Sequence, residues 1–203
     1  MVADTGILPD RMIAALATAC GIVPAYDFAP DQIQPASLDL RLGDIAYRVR
    51  ASFLPGPDAT VAERIDELKL HEIDLTDGAV LETNCVYIVP LLESLALPQR
   101  IVAAANPKSS TGRRDVFTRV ITDGTRRFDM IDPGFGYAGA GGQGSRAVLE
   151  VRSREVPFIL EHGQIVGRLV YEKMISRPDA LYGQRIGSNY QAQGLKLSKH
   201  FKA

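Results

Sequence analysis

Between Ser37 and Val49 the hydrophobic pattern settles into a period of two. Leu38, Leu40 and Leu42 alternate with Ser37, Asp39 and Arg41, and Ile45, Tyr47 and Val49 continue the alternation after Gly43. Successive side chains of a β-strand point to opposite faces, so this spacing predicts two short strands with a bend or bulge at Gly43-Asp44. The same signal returns along the chain. Leu70 to Leu75 alternates, Thr76-Asp77-Gly78 marks a turn, and Val80 to Val89 is a long β-type run. Further strands are predicted at Ile101 to Ala105, Val120-Ile121, Phe128 to Ile131, Arg146 to Arg152, Val156 to Leu160 and Gln164 to Tyr171.

Helical signals are few. Asp10 can cap a short helix from Arg11 to about Cys20, with Met12, Ile13, Leu16 and Ala17 on one face and Gly21 as its end. Thr60-x-x-Glu63 has the spacing of a capping box. Ser109 to Phe117 is expected to form a turn or two of helix capped by Ser109 or Ser110. Gly134 to Gly144 holds six glycines and must be loop. Many short strands with frequent turn signals predict an all-β sandwich or barrel.

The 203 residues predict one domain with a full core. Hydrophobic content of 46% and charged content of 23% are those of an ordinary globular protein. A net charge of −1 gives no field for nucleic acid or a membrane surface. No apolar run is long enough to span a bilayer, and Met1 to Asp10 does not read as a signal peptide. Cys20 and Cys85, the only two cysteines, are read as buried thiols in a reducing compartment, so a cytoplasmic location is expected.

The chemistry concentrates between Asn106 and Glu150. In Lys108-Ser109-Ser110-Thr111-Gly112-Arg113, three consecutive hydroxyls precede a glycine. At a helix N-terminus they and the backbone N–H groups suit an anion, with Lys108 and Arg113 adding charge. The Gly-x4-Gly-Lys spacing of a P-loop is absent. Read alone, the hexapeptide fits a capped turn with surface charges slightly better. Alternation places Val148, Glu150 and Arg152 on one strand face and Ala147, Leu149 and Val151 on the other. A carboxylate in such partly apolar surroundings suits a general acid/base; the plainer reading is a solvated face with Glu150 paired to Arg146 or Arg152. Asp132-Pro133-Gly134 fits a turn, or an aspartate that accepts from a sugar hydroxyl. His71, His162 and His200 lack metal-ligand spacing, and the His-x-Glu, Pro-Cys-x-x-Cys signature of zinc deaminases is missing.

A collinear series of segments resembles the dCTP deaminase family. Gln34-Pro35-Ala36-Ser37-Leu38-Asp39-Leu40-Arg41-Leu42-Gly43 resembles its opening strand motif, and Lys108-Ser109-Ser110-x-x-Arg113 its phosphate and catalytic segment. Ile131-Asp132-Pro133-Gly134 and Val148-Leu149-Glu150 resemble its sugar and catalytic strands. Gly163-Gln164-Ile165-Val166-Gly167 resembles the strand pair that follows. Tyr182, Tyr190-Gln191-Ala192-Gln193-Gly194 and Ser198 resemble its substrate-closing tail. The resemblance implies a mainly β, distorted barrel of the dUTPase-like, β-clip type. It implies a homotrimer with sites between subunits, acting on dCTP to give dUTP and ammonia without zinc. Glu150 would be the general base, with Ser109 and Arg113 holding the water and the base from a neighbouring subunit. Lys108, Ser110, Thr111 and Gly112 would receive the triphosphate, which carries Mg²⁺. Asp132 would hold the 3′-hydroxyl, Val148 and Leu149 would line the base and sugar, and Tyr182, Tyr190 and Gln193 would close over the nucleotide within a 182–203 tail.

Three features depart from the compact family pattern. Extra length falls around Asp123 to Arg127 and in the Gly136 to Gly144 loop. Asn189 stands where the family often has a phosphate-binding lysine, leaving Arg126, Arg127 or Lys196 as alternatives to replace it. An elongated variant of the family carries two fused copies, and this chain resembles the first. Alternatives are a dUTP diphosphatase, a bifunctional enzyme performing both steps, and a catalytically silent nucleotide binder.

Overall fold

The computed structural model describes residues 5–49, 69–109, 116–121, 130–137, 144–153 and 155–182. Strands come in chain order: β1 (Gly6–Ile7), β2 (Ile22–Pro24), β3 (Ile33–Gln34), β4 (Ser37–Arg41), β5 (Ile45–Val49), β6 (Lys69–Asp74) and β7 (Ala79–Leu81). They continue as β8 (Val86–Leu95), β9 (Ile101–Pro107), β10 (Val116–Ile121), β11 (Met130–Ile131), β12 (Ser145–Ser153), β13 (Phe158–Leu160) and β14 (Ile165–Lys173). Among the described residues one helix, α1 (Asp10–Thr18), accompanies them.

The mainly β expectation holds. One six-stranded sheet runs β11-β9-β14-β4-β3, with β1 pairing the far end of β14. A second runs β10-β12-β8-β5-β6, with β2 pairing β8, and β13-β7 form a small third sheet. Among the described residues the strands do not close into a single barrel. The two large sheets are stitched at the bend foreseen at Gly43. Leu42 bridges Leu91, and the Gly43 N–H donates to the Pro90 carbonyl at 2.8 Å. A Cβ on Gly43 would lie 2.6 Å from that oxygen, so only glycine lets the backbones approach so closely. Pro90 is tolerated within a central strand because its partner β12 is irregular there, with a register shift between Arg146 and Val148.

The leucine stripe of β4 and its continuation is the heart of the core: Leu38, Leu40 and Leu42 are all 0% exposed. On the opposite face of β4, Ser37, Asp39 and Arg41 are buried as well. Other boundaries also differ from expectation. The helix begins at Asp10 after Pro9, so Asp10 lies in the first turn and makes no N-cap bond. The run from Val80 to Val89 divides into β7 and β8 around Asn84, whose φ of 56° breaks the ladder. Val116 and Phe117 belong to β10 rather than to a helix. Cys20 is exposed rather than buried, because it follows the last turn of α1 in a left-handed conformation with φ 57°. The capping-box segment at Thr60 to Glu63, and most of the expected helix after Ser109, lie outside the described residues. No helix among the described residues is long and apolar enough to cross a membrane.

Candidate active site

Glu150 sits in the middle of β12, between Arg119 of β10 and Ile88 of β8 in register. The predicted alternation is realised. Ala147, Leu149 and Val151 face the hydrophobic core, each 2% exposed or less. On the other face Val148 is buried, Glu150 is half-buried, and Arg146 and Arg152 are exposed. The Arg152 Nε donates to Glu150 Oε1 at 2.7 Å, with the carboxylate side chain 20% exposed. The expected pairing with Arg152 is therefore present within the chain, and it keeps a cation beside the carboxylate. Leu149 points away from Glu150, so of the two apolar residues proposed to line the base and sugar only Val148 shares its face.

Lys108 and Ser109 lie at the end of β9, in the other large sheet. The chain crosses from Pro107, paired with Gly167 of β14, to Val116, paired with Ser153 of β12. The Lys108 N–H donates to the Val166 carbonyl at 3.3 Å, and its ammonium donates to Asp39 Oδ2 at 2.8 Å. Ser109 is exposed. Ser110, Thr111, Gly112 and Arg113 lie outside the described residues. Glu150 and the Lys108–Ser109 segment are thus held on different sheets. No hydrogen bond or ion pair among the described residues joins them.

Asp132 opens a compact turn. The Asp132 carbonyl accepts from the Phe135 N–H, and Gly134 N–H donates to the Leu97 carbonyl. Tyr182 closes over this turn: its N–H donates to the Pro133 carbonyl at 2.9 Å, and its ring packs on Phe135 with centroids 5.4 Å apart. At 2% exposure, Tyr182 is fixed against this turn. Tyr190 and Gln193 lie outside the described residues, as does Asn189.

Three charged residues that reading by alternation did not single out are central to the architecture. Glu93 is 0% exposed and accepts from the backbone N–H and Nε of Arg41 and from Nε2 of Gln32, each at 2.8 Å. The Arg41 guanidinium also donates to the carbonyls of Tyr26 and Asp27, which latches the proline-rich connection onto β4. Asp39, beside it, takes Lys108. The available signal was a carboxylate inside an apolar run, as in Leu91-Leu92-Glu93-Ser94-Leu95; such a charge has to find a partner. Among the described residues no group of three or more His, Cys, Asp or Glu side chains is placed to hold a metal.

The structure thus carries a half-buried carboxylate in the middle of β12 and a hydroxylated, basic segment at the end of β9 in the other large sheet. Residues 4–173 match the family model described as the 2'-deoxycytidine 5'-triphosphate deaminase N-terminal domain. The chain belongs to the dCTP deaminase family. It is 33% identical over 188 residues to a "dCTP deaminase, dUMP-forming" of Corynebacterium diphtheriae, covering 91% of this chain and 90% of that one. It is 29% identical to a "dCTP deaminase" of Alteromonas mediterranea over 85% of this chain and 83% of that one. The solved 2'-deoxycytidine 5'-triphosphate deaminase of Agrobacterium tumefaciens superposes with a TM-score of 0.68 at 50% identity. That match covers 83% of this chain but 48% of the other, so the chain spans about half the length of that relative.

Proposed function

We propose that the chain hydrolyses dCTP to dUTP and ammonia in the cytoplasm, with Glu150 as the group that moves protons. The observation that carries this reading is the half-buried Glu150 carboxylate, fixed on β12 beside buried Val148 in a chain whose residues 4–173 match the family. Water attacks C4 of the cytosine ring while Glu150 takes its proton and passes it to N3. Glu150 then takes the remaining hydroxyl proton of the tetrahedral centre and passes it to the amino group. The C4–N bond breaks, ammonia leaves, and a C4 carbonyl remains. One positioned carboxylate serves every transfer, because each proton it accepts is delivered before the next step.

Arg152 would hold the carboxylate in place before substrate arrives. Ser109 and Arg113 would position the water and base, and Lys108 with Ser110, Thr111 and Gly112 would receive the triphosphate. Mg²⁺ would travel with the phosphates rather than in a protein cage. Asp132, half-buried at the start of its turn, would accept from the 3′-hydroxyl. Because Glu150 and Lys108 occupy different sheets, a homotrimer in which one subunit's 108–113 segment meets its neighbour's Glu150 fits the arrangement. The 182–203 tail, which begins at Tyr182, would close over the nucleotide through Tyr190 and Gln193.

A second reading is favoured by one observation: the Corynebacterium relative is described as dUMP-forming. A chain that also cleaved the product would release pyrophosphate. One assay separates the readings. The chain is incubated with dCTP and Mg²⁺, and dUTP, dUMP and pyrophosphate are resolved chromatographically. dUTP alone supports the deaminase, and dUMP with pyrophosphate supports the bifunctional enzyme. No turnover with tight dCTP binding supports a silent binder.

A further inference from the structure

Asp39 is a buried carboxylate faced by two cations from two other strands. It stands directly across from Arg168 of β14, and Arg168 stands directly across from Asn106 of β9. Residues opposite one another in a ladder share a face, as do residues two apart on a strand, so Lys108 reaches the same carboxylate. The contacts are unequal. Lys108 Nζ lies 2.8 Å from Oδ2, whereas Arg168 Nε lies 3.8 Å from Oδ1. Asp39 Oδ1 and Arg168 Nε are both buried, and neither has a hydrogen-bond partner. Two orphaned groups of opposite charge thus face each other across a gap just too wide for a hydrogen bond.

The side chains differ in freedom: Asp39 is 3% exposed, Lys108 28% and Arg168 37%. Stripping a buried carboxylate of its counter-ion is strongly unfavourable. Lys108 can therefore turn its ammonium to an external anion only if another cation covers Asp39. Arg168 is placed to do so. Closing its gap by about 1 Å yields an ordinary charge-assisted hydrogen bond and satisfies both orphaned atoms.

We propose that Arg168 and Asp39 form a charge-exchange pair that releases Lys108 to the polyphosphate of the nucleotide. When the phosphate draws the ammonium from Oδ2, Arg168 closes on Oδ1; when the product leaves, Lys108 returns. No proton changes hands. Arg168 is thereby a positioning residue acting through Lys108. The proposal deepens the dCTP reading and rests on it.

The test compares wild type with R168Q, R168K, D39N and R168Q/D39N as full chains. It measures KM and kcat for dCTP, and calorimetric binding of tripolyphosphate and of deoxycytidine. R168Q is expected to raise the dCTP KM at least about tenfold, with kcat within about twofold, since Lys108 is then bound to Asp39 as its sole counter-ion. Tripolyphosphate should weaken by the same factor, and deoxycytidine should not. Adding D39N to R168Q should restore KM to within about threefold of wild type, because the trap for Lys108 is gone. A merely structural Arg168 would not be rescued by a second core change. R168K retains a cation and should stay within about threefold of wild type; if R168Q does not fold, R168K and the double variant, from which both charges are removed, carry the comparison. An unchanged KM in R168Q, equal weakening of deoxycytidine, or a deeper defect in the double variant overturns the exchange. If wild type does not bind dCTP, the nucleotide reading falls, and the tripolyphosphate series alone decides the exchange.

Discussion

Replacing Arg41 by Met tests whether the Arg41–Glu93 pair is what fastens the two sheets and the proline-rich connection. Glu93 is 0% exposed and the Arg41 side chain 9% exposed, and they meet at 2.8 Å. Met fills much of the space of the aliphatic stem but supplies no charge. Glu93 would keep the Gln32 amide and the residue 41 backbone N–H as donors, both neutral. Breaking a buried pair by removing one partner costs about 3–5 kcal/mol, because the remaining charge is stranded. The carbonyls of Tyr26 and Asp27 lose their donors too, but both residues are exposed and water replaces the guanidinium there, so they add little. For a chain of 203 residues each kcal/mol shifts Tm by roughly 2–4 °C, so R41M should melt about 6–20 °C lower. Urea denaturation followed by circular dichroism measures the free energy, and a thermal scan measures Tm. The decisive control is R41M/E93Q, which removes the stranded charge and should recover at least about half of the loss. A loss under about 1 kcal/mol in R41M, or a double variant less stable than R41M, would refute the reasoning.

Three further outcomes are expected. Glu150→Gln should bind dCTP with near-native affinity and lose turnover by a factor on the order of 10²–10⁴; normal deamination by this variant, measured by ammonia release, removes Glu150 from the mechanism. Tyr171→Phe should be neutral or stabilise by up to about 1 kcal/mol in urea melts, since the Tyr171 hydroxyl is buried without a partner. Burial foremost, with the nearby Glu93 charge, pushes the Tyr171 phenol well above its ordinary value of 10.0. The raised folded value means that its stabilising share is intact below pH 10 and is lost as pH rises beyond it, so Y171F should outlast wild type in alkaline melts. Gly136→Ala should destabilise by about 2–3 kcal/mol in the same melts, because Gly136 has φ +72° and an added Cβ would fall 1.8 Å from the Leu95 carbonyl oxygen.

Local periodicity was enough to place β4, β6, β9, β12 and β14 and to put Glu150 on the correct face of its strand. It failed where the determinant is distant in sequence. Alternation puts Asp39 and Arg41 on the face opposite the leucines but does not say what covers that face. Here both faces of β4 are covered, and the partners lie far along the chain: 52 residues separate Arg41 from Glu93, and 69 separate Lys108 from Asp39. Nothing in a window of ten residues reports such a pair. The split of Val80–Val89 has the same origin in reverse. The stretch is uniformly β-prone, and the break is imposed by the left-handed turn at Asn84 and by Tyr87, whose hydroxyl accepts the Glu82 N–H. The polar half of the candidate site stood out as chemistry, through Lys108 and Ser109. Its tether to Asp39 and Arg168 did not, because it exists only once β4, β14 and β9 lie side by side.

The central position of β14 also bears on how the chain is made. Along its length β14 pairs with β9 on one side and with β4 and then β1 on the other, down to Gly6 opposite Lys173. A growing polypeptide leaving the ribosome therefore carries β1, β4 and, once Pro107 has been added, β9 with no strand between them. Their edges are exposed pairing templates until residue 173 emerges. The last strand delivered among the described residues is the one that lets the first be captured, so a stall or premature stop shortly before it would release a sticky, open sheet rather than a smaller version of the domain.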